Sequence, residues 1–563
     1  MHVGKTSSSD SKKYPPGSFM GRLKERKIIA TLAAFIGGGV AAVEFVYHIL
    51  VHNYHFPKYT TDITIAVIAL AMLCTVTWRW FRGEKGEEPE EKAAEPISFP
   101  EWKNSIVVLP LENISPEEGQ EYFCDGMTEE IITDLSSIHD LRVISRSSAM
   151  MLKGSKKAIR DIAKELNVQY VLEGSVRKAG NDIRITAQLI DATSDAHLWA
   201  EKYSGALDDV FDIQEKVSRS IVEALKLKLS PEEKREIAKR PIGNIQAHEC
   251  YLKAKHEIYR YTKESLDKGI NTLQNGLEFF GENALLFATL GEVYYLFYDI
   301  GYVTDEAILD KAEEYVKKTL ALEPDSAYGF KLLALLERGR GNLIEACKYI
   351  KKAYDADPNE SSIMMYAAGF LGGYAGRTSI AESLFKKLLK IDPLTPLNYI
   401  FFGINRYMQG HFDQAIELLS KSYQMDPEFT WSKFWIAKSL ATNKQLNKAF
   451  EMIDEAVSVE GTDKIIRELL QFLKYVLIGE KEKALETLSE ETKKFAWNDP
   501  DFSFFMPGYY ALLSEKEEAF RWMEHAIDRG FINYPFYSRA YPFLENVRGE
   551  PRFKKLMERA KHE

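Results

Sequence analysis

An acidic residue followed by proline recurs at a nearly constant interval in the second half of the chain. The prolines are Pro324, Pro358, Pro393 and Pro427, at intervals of 34, 35 and 34 residues. Proline disfavours helical geometry in the residue before it, so each pair predicts the end of a helix. A period near 34 residues indicates stacked helix pairs, an architecture that leaves little room for another fold in this region.

Small residues recur with the same period, as expected where the two helices of a pair cross. They are Ala312, Ala346, Ala381, Ala415, Ala449, Ala484 and Ala519, separated by 34 or 35 residues. The residues around Ala415 resemble a tetratricopeptide repeat (TPR): Tyr399, Phe402, Gly403, Tyr407, Leu419 and Pro427. We predict a TPR array of about eight repeats over residues 240–530, followed by a C-terminal capping segment at 531–563.

Composition excludes some functions. The net charge of −10 over 563 residues, with Lys and Arg interleaved with acids, argues against nucleic acid as a partner. Four widely spaced cysteines, without a CxxC pair, predict neither a zinc knuckle nor a disulfide framework.

Two apolar segments precede the rest of the chain. Residues 27–49 and 63–81 are each long enough to cross a bilayer, so residues 27–82 are predicted to be two transmembrane helices. A cleaved signal peptide is the alternative. The basic tail at 1–26 and the basic residues after 81 place both ends in the cytoplasm, which predicts a multi-pass protein of the bacterial inner membrane.

The glycines and alanines of the first span give it a flat side. They predict that the two helices pack on each other as a hairpin, or that the protein forms a homo-oligomer through them. Lipid is then a partner of the chain. Residues 83–102 are an acidic, proline-broken linker.

Residues 103–230 alternate between strand and helix patterns. The segments VVLPLENISPEEGQEYFCDGMTEEIITDLSSI, LRVISRSS and VQYVLEGSVRKAGNDIRITAQLIDATSDAHLWAEKYSG resemble the TolB-like amino-terminal domain of bacterial regulatory chains. That resemblance implies an α/β domain followed by TPRs. In the family, these regions often follow a cyclase, kinase or winged-helix domain, whereas here we expect only the two predicted spans before them.

Catalysis in the α/β domain is the less favoured interpretation. Cys124, Asp125 and His139 offer a nucleophile, an acid and a base, but Asp125 is predicted to be a helix N-cap. Arg146, Lys153 and Arg160 could face an anion or form an ordinary solvated surface.

The register of the repeats predicts an apolar partner groove on the first helices. Its residues are Ile363, Tyr366, Phe370, Leu397, Ile400, Ile404, Met408, Trp431 and Phe434. Only Lys331 and Arg338 resemble the cations that capture a peptide carboxylate. Either the groove binds an apolar peptide, or the superhelix buries these residues against itself.

The outer end of the first span carries Glu44, His48 and His52 at four-residue spacing, with His55 nearby. This stripe is a candidate zinc site or pH sensor. The alternative is a helix that ends among lipid headgroups.

Together these patterns predict a two-helix transmembrane hairpin, a TolB-like α/β domain and an all-α TPR solenoid. The predicted function is a membrane-anchored, non-enzymatic scaffold or regulator that binds protein or peptide and needs no cofactor. The alternatives are a sensor that binds a small ligand or metal and signals through the array, and a cell-envelope assembly factor.

Overall fold

The computed structural model describes most of the chain after residue 58. The described residues are 43, 44, 47, 51, 57, 59–82, 102–116, 119–238, 242–300, 302, 303, 305, 307–427, 429–458 and 464–562. The chain divides into two compact units, Met1–Glu95 and Pro96–Glu563.

The first unit contains helix α1, Tyr59–Arg82, on which the predicted second span falls. The first two turns of α1 include Thr60, Asp62 and Thr64, so its apolar run is shorter than the helix. No helix in the described part of the chain is long and apolar enough to cross a bilayer. This finding overturns the predicted multi-pass membrane location, and with it the basis for lipid contact and for an oligomer through the spans. Most of residues 27–49 lie outside the described residues.

The second unit begins with a six-stranded mixed sheet. Its order is β3-β1-β4-β5-β6, with β2 also paired to β4, and the strands are β1 Asn104–Val108, β2 Glu112–Asn113, β3 Leu141–Val143, β4 Tyr170–Ala179, β5 Asp182–Asp191 and β6 Ala196–Ala206. Strands β1, β2 and β3 make parallel pairs, whereas β4, β5 and β6 form an antiparallel meander. The accompanying helices are α2 Glu121–Ser136, α3 Arg146–Met150, α4 Ile159–Leu166, α5 Val210–Ala224 and α6 Pro231–Ile237.

Eight helix pairs follow the sheet in the described residues. The helices of the first seven pairs are, in order, α7 Ile245–Ile258, α8 Lys263–Phe280, α9 Ala284–Asp299, α10 Ala307–Leu322, α11 Ala327–Gly339, α12 Leu343–Ala356, α13 Ser361–Gly373, α14 Thr378–Ile391, α15 Pro396–Met408, α16 Phe412–Met425, α17 Thr430–Thr442, α18 Leu446–Ser458, α19 Lys464–Ile478 and α20 Lys481–Thr487. A single helix, α21 Glu490–Asn498, separates them from the last pair. In that pair, the two short helices α22 Pro500–Ser503 and α23 Met506–Leu512 precede α24 Lys516–Asp528. A final helix, α25, spans Pro551–His562.

The two periodic features of the sequence have clear structural roles. Helices α10, α12, α14 and α16 each end two residues before a proline of the recurring set. The seven recurring alanines are all fully buried, because a larger side chain would separate the paired helices.

The α/β domain and the first helix pairs share one hydrophobic core. Helix α2 lies so close to α7 that a Cβ atom added to Gly126 would come within 2.5 Å of Leu252 Cδ2. Glycine at this position therefore allows the two parts of the unit to pack directly.

A second junction joins the α/β domain to the turn between α14 and α15. The buried Asp392 carboxylate accepts hydrogen bonds from the hydroxyls of Ser145 and Ser148 and from the amide of Asn398. Arg142 donates to the Lys390 carbonyl at 2.8 Å. The α/β domain thus contacts the solenoid at the first and the fourth helix pairs.

The first junction contains an acidic cluster between α2, α5 and α7, in which Asp134 is buried. Asp134 accepts a hydrogen bond from the Ser218 hydroxyl at 2.8 Å, and Glu130 lies 3.1 Å from His248 Nε2. Burial, together with the nearby Glu130 and Glu215 carboxylates, raises the pKa of Asp134 to about 7. The folded protein therefore holds this carboxyl protonated at pH values where the unfolded chain ionises it.

Changing Asp134 to Asn should stabilise the protein at pH 8 but not at pH 5. The pKa of Asp134 is higher in the folded protein than in the unfolded chain. This carboxyl therefore stabilises the fold at low pH, and that stabilisation is lost as pH rises from about 4 to about 7. Asn keeps a polar side chain without the buried charge, so we expect the unfolding free energy at pH 8 to rise by about 1–3 kcal/mol. Thermal melts across this pH range would measure it, with the exposed Asp208→Asn as control. Equal stability differences at both pH values would contradict the expectation.

Candidate protein-binding surface

Tyrosines and charged side chains line one face of the first helices of the early pairs. We call Tyr251, Tyr259, Tyr261, Tyr328 and Tyr366, together with Lys255, Glu292 and Lys331, the tyrosine face. They lie on or directly after α7, α9, α11 and α13. Because each helix pair contributes at the same register, side chains distant in sequence form one continuous surface.

Ion pairs and ring contacts connect the tyrosine face. Lys331 Nζ donates to Glu292 Oε1 at 3.1 Å and lies 5.3 Å from the Tyr328 ring centroid. Lys255 Nζ lies 4.7 Å from the ring centroid of Tyr259. Burial opposes ionisation of Glu292, but Lys331 and Lys255 keep its pKa below the ordinary value. The Glu292 carboxylate and the Lys255 amine are therefore charged at neutral pH.

The α/β domain closes one side of this face. The Arg146 guanidinium lies 3.8 Å above the Tyr259 ring centroid and pairs with Glu129, which also lies 3.7 Å from Lys255. The surface is nevertheless partly open, since Tyr261 exposes 50% and Tyr328 37% of its surface. Burial among Glu292 and Tyr259 raises the pKa of Tyr261 to about 12, so its hydroxyl remains a hydrogen-bond donor.

Further along the array, Arg338 connects the solenoid to the chain's own later residues. Its side chain is 16% exposed and donates to Asp299, Asp501 and the hydroxyls of Tyr295 and Tyr374. Asp501 follows Asp499, which caps α22. Residues 499–505 therefore lie against the third and fourth helix pairs.

The predicted groove residues divide into two groups by burial. Ile363, Phe370, Ile400, Met408 and Phe434 are buried, whereas Tyr366, Leu397, Ile404 and Trp431 are half-buried. The rings of Trp431 and Phe434 pack on Phe502, with centroids 5.1 and 5.8 Å away. Tyr366 lies at the other end of the predicted groove and is part of the tyrosine face.

The terminal segment also packs against the middle of the array. Asn533 Nδ2 donates to the carbonyl of Gly373 at 2.9 Å and approaches Met408 Sδ at 3.6 Å. Phe531 stacks on Phe504 at 4.8 Å. In this part of the solenoid, the chain itself supplies the neighbours of the groove side chains.

Sequence reasoning missed the tyrosine face. The first helix pairs match the repeat pattern poorly, and of this face only Tyr366 and Lys331 were singled out from the sequence. The available signal was the cluster Tyr251, Tyr259 and Tyr261, in which polar rings follow one another at and after the end of a helix.

The geometry of Cys124 does not support a nucleophile. The thiol is buried, and burial beside Asp125 raises its pKa to about 12, so it is not a thiolate at neutral pH. Helix α2 begins at Glu121, and Asp125 is therefore inside the helix instead of at its N-cap. Asp125 pairs with Lys153 and His256, whereas the backbone N–H of His139 donates to Glu233.

The three cations considered for an anion site are all paired. Arg146 pairs with Glu129, Lys153 with Asp125, and Arg160 with Asp195. Their carboxylate partners would oppose the binding of an anion.

The metal candidates lie at the edge of what the structure describes. Glu44 is exposed, and His48, His52 and His55 lie outside the described residues. Within the described part of the chain, no group of three or more His, Cys, Asp or Glu side chains is placed to hold a metal ion.

Comparison with known proteins gives one family match. Residues 102–220 match the model of the HilA/YgeH-like transcriptional regulator, second domain. The matched region coincides with the sheet and its helices. It is also where the sequence resembles a TolB-like domain.

The chain is also similar to proteins of different names. It is 42% identical over 201 residues to a Rhizobium meliloti (strain 1021) protein provisionally named adenylate cyclase 3, covering 36% of this chain and 34% of that protein. It is 25% identical over 209 residues to a TPR repeat-containing protein of Methanocaldococcus jannaschii, covering 36% of each. The chain thus spans about a third of the length of these two relatives.

One solved structure aligns with part of the helical array. A thermophilic TPR protein of Thermus thermophilus aligns with 35% of this chain and 99% of its own, at 17% identity and a TM-score of 0.28. The helix pairs of this chain form a TPR-like solenoid with an α/β sheet region before it, and such a fold is typical of protein-interaction scaffolds.

Proposed function

We propose that this chain is a non-enzymatic regulatory scaffold that binds a segment of a partner protein on the tyrosine face. The observation that carries the proposal is the partial exposure of Tyr261 and Tyr328 beside the half-buried Lys255 and Glu292 and the buried Lys331. Amphipathic rings of this kind supply contact area at low entropic cost, and they are enriched where proteins bind one another.

The proposed binding surface lies closer to the α/β domain than the apolar groove predicted from the sequence. Tyr366 belongs to both the predicted groove and the tyrosine face, whereas Trp431 and Phe434 pack on Phe502 of the same chain. The ring contacts of Tyr366 are instead with Phe370 and Phe401. The TolB-like resemblance, typical of bacterial regulatory chains, supports the regulatory part of the proposal.

Site-specific photocrosslinking in the full chain tests the binding surface. A photoreactive residue would replace Tyr328 in one protein and Phe279 in another; Phe279 is 76% exposed on α8 and lies outside the tyrosine face. We expect a defined crosslinked partner only from position 328, and we expect Tyr261→Ala to weaken it. Crosslinks from both positions, or from 279 alone, would contradict the proposal.

A separate assay tests the non-enzymatic part. The relative with an adenylate cyclase name shares only about a third of its length with this chain. We expect no cyclic AMP from the purified full chain with ATP and divalent cations. Turnover above that of buffer, lost on heat inactivation, would overturn this part of the proposal.

A further inference from the structure

A polar face of the β4–β5–β6 meander carries three exposed cations. Arg177 on β4 lies directly opposite Arg184 on β5, and both are exposed. In the next row, Thr186 on β5 lies opposite the exposed Lys202 on β6. We call Arg177, Arg184 and Lys202 the basic sheet face.

None of these three cations has a carboxylate partner among the described residues. Glu173, which shares the face, instead accepts a hydrogen bond from Gln188 across the β4–β5 pair. Like charges directly opposite one another destabilise a sheet, so the Arg177 and Arg184 pair costs stability in the free protein. A bound anionic group would remove that cost.

The geometry of the sheet defines the spacing of the charges that would fit. Successive side chains on one face of a strand lie about 6.8 Å apart, which is also the distance between alternate side chains of an extended peptide. Carboxylates at alternate positions would therefore meet the arginine row and the lysine row in turn. Ser175, Thr186 and Ser204 lie between the cations and offer hydroxyls to a peptide backbone.

We propose that the basic sheet face binds an extended acidic peptide segment of a partner protein, with carboxylates at alternate positions. Peptide is favoured over single-stranded nucleic acid because the arginine and lysine rows contain no aromatic ring on which a base could stack. The surface is separate from the tyrosine face, so either one can be tested without the other.

Fluorescence anisotropy with the full chain tests the proposal. The probe is a labelled eight-residue peptide in which Glu and Ser alternate, and the comparison peptide groups the four Glu residues together. We expect Arg177→Gln with Arg184→Gln to weaken binding of the alternating peptide at least about tenfold. Lys157→Gln with Arg160→Gln makes the same charge change at exposed cations that pair with Glu165 and Asp195, and should change binding less than about twofold.

Three results would overturn the proposal. They are equal weakening by both double variants, equal binding of the two peptides, and tighter binding of an eight-nucleotide single strand than of the alternating peptide. The melting temperature of the arginine double variant is the control for folding. A value at or above that of the parent protein would show that weaker peptide binding does not result from unfolding.

Discussion

Replacing Arg338 with Met is expected to lower the unfolding free energy by about 3–5 kcal/mol at pH 7. The guanidinium is largely buried and joins Asp299 of α9 to Asp501, 163 residues away from Arg338. Methionine fills similar volume but leaves both carboxylates without their cation. Denaturant unfolding would measure the loss.

The loss should be smaller at pH 5. Burial beside Asp501 raises the pKa of Asp499 to about 7, even with Arg338 nearby to oppose the shift. At pH 5, Asp499 is therefore protonated, and this reduces the repulsion between Asp499 and Asp501 that Arg338 offsets at neutral pH. Arg521→Met, which removes an exposed cation paired with Glu518, should cost about 0–1 kcal/mol. A similar small loss for Arg338→Met would show that the bridge contributes little.

Replacing Lys438 with Met should have the opposite effect and raise the unfolding free energy by about 1–3 kcal/mol at pH 7. Lys438 is fully buried on α17, and its amine has no hydrogen-bond partner in the described residues. The rings of Phe505 and Trp435 lie 3.5 and 4.4 Å from Nζ. Such contacts give a cation about 2 kcal/mol, less than the several kcal/mol that removing it from water costs.

The gain from Lys438→Met should decrease as pH rises. Burial lowers the pKa of Lys438 well below its ordinary value, so this amine releases a proton when the chain folds. The unfolding free energy of the parent protein therefore rises with pH until the pH reaches the lysine pKa of the unfolded chain, near 10.4. Methionine removes this dependence.

The matched control is Lys433→Met on the same helix. Lys433 is also buried but pairs with Glu455 at 3.2 Å, so the same substitution there should destabilise. A loss of stability in both variants, at every pH, would contradict the expectation for Lys438.

The comparison of sequence and structure shows which features are local. The recurring prolines and alanines predicted the helix pairs, because a helix end and a helix crossing depend on single residues at fixed spacing. The alternation of strands and helices likewise predicted the α/β region. The wrong membrane prediction relied on the length of two apolar segments, whereas no helix in the described residues is long and apolar enough to cross a bilayer.

The tyrosine face and the Arg338 bridge could not be predicted in this way. Each depends on how far the solenoid curves, and that curvature is the sum of small rotations between successive pairs. Nothing in the spacing of Arg338 and Asp501 indicates that they meet. The same holds for Asn533 and the carbonyl of Gly373.

The return of residues 499–545 to the middle of the array bears on how the chain folds. An open repeat array can form from any point and grow by adding neighbours. Here, contacts such as Asn533 with Gly372, 161 residues apart, must close a long loop before they stabilise anything. During synthesis, the third to sixth pairs must wait for the last part of the chain to leave the ribosome. We therefore expect these pairs to fold late and to unfold together with the carboxyl terminus, as one cooperative unit.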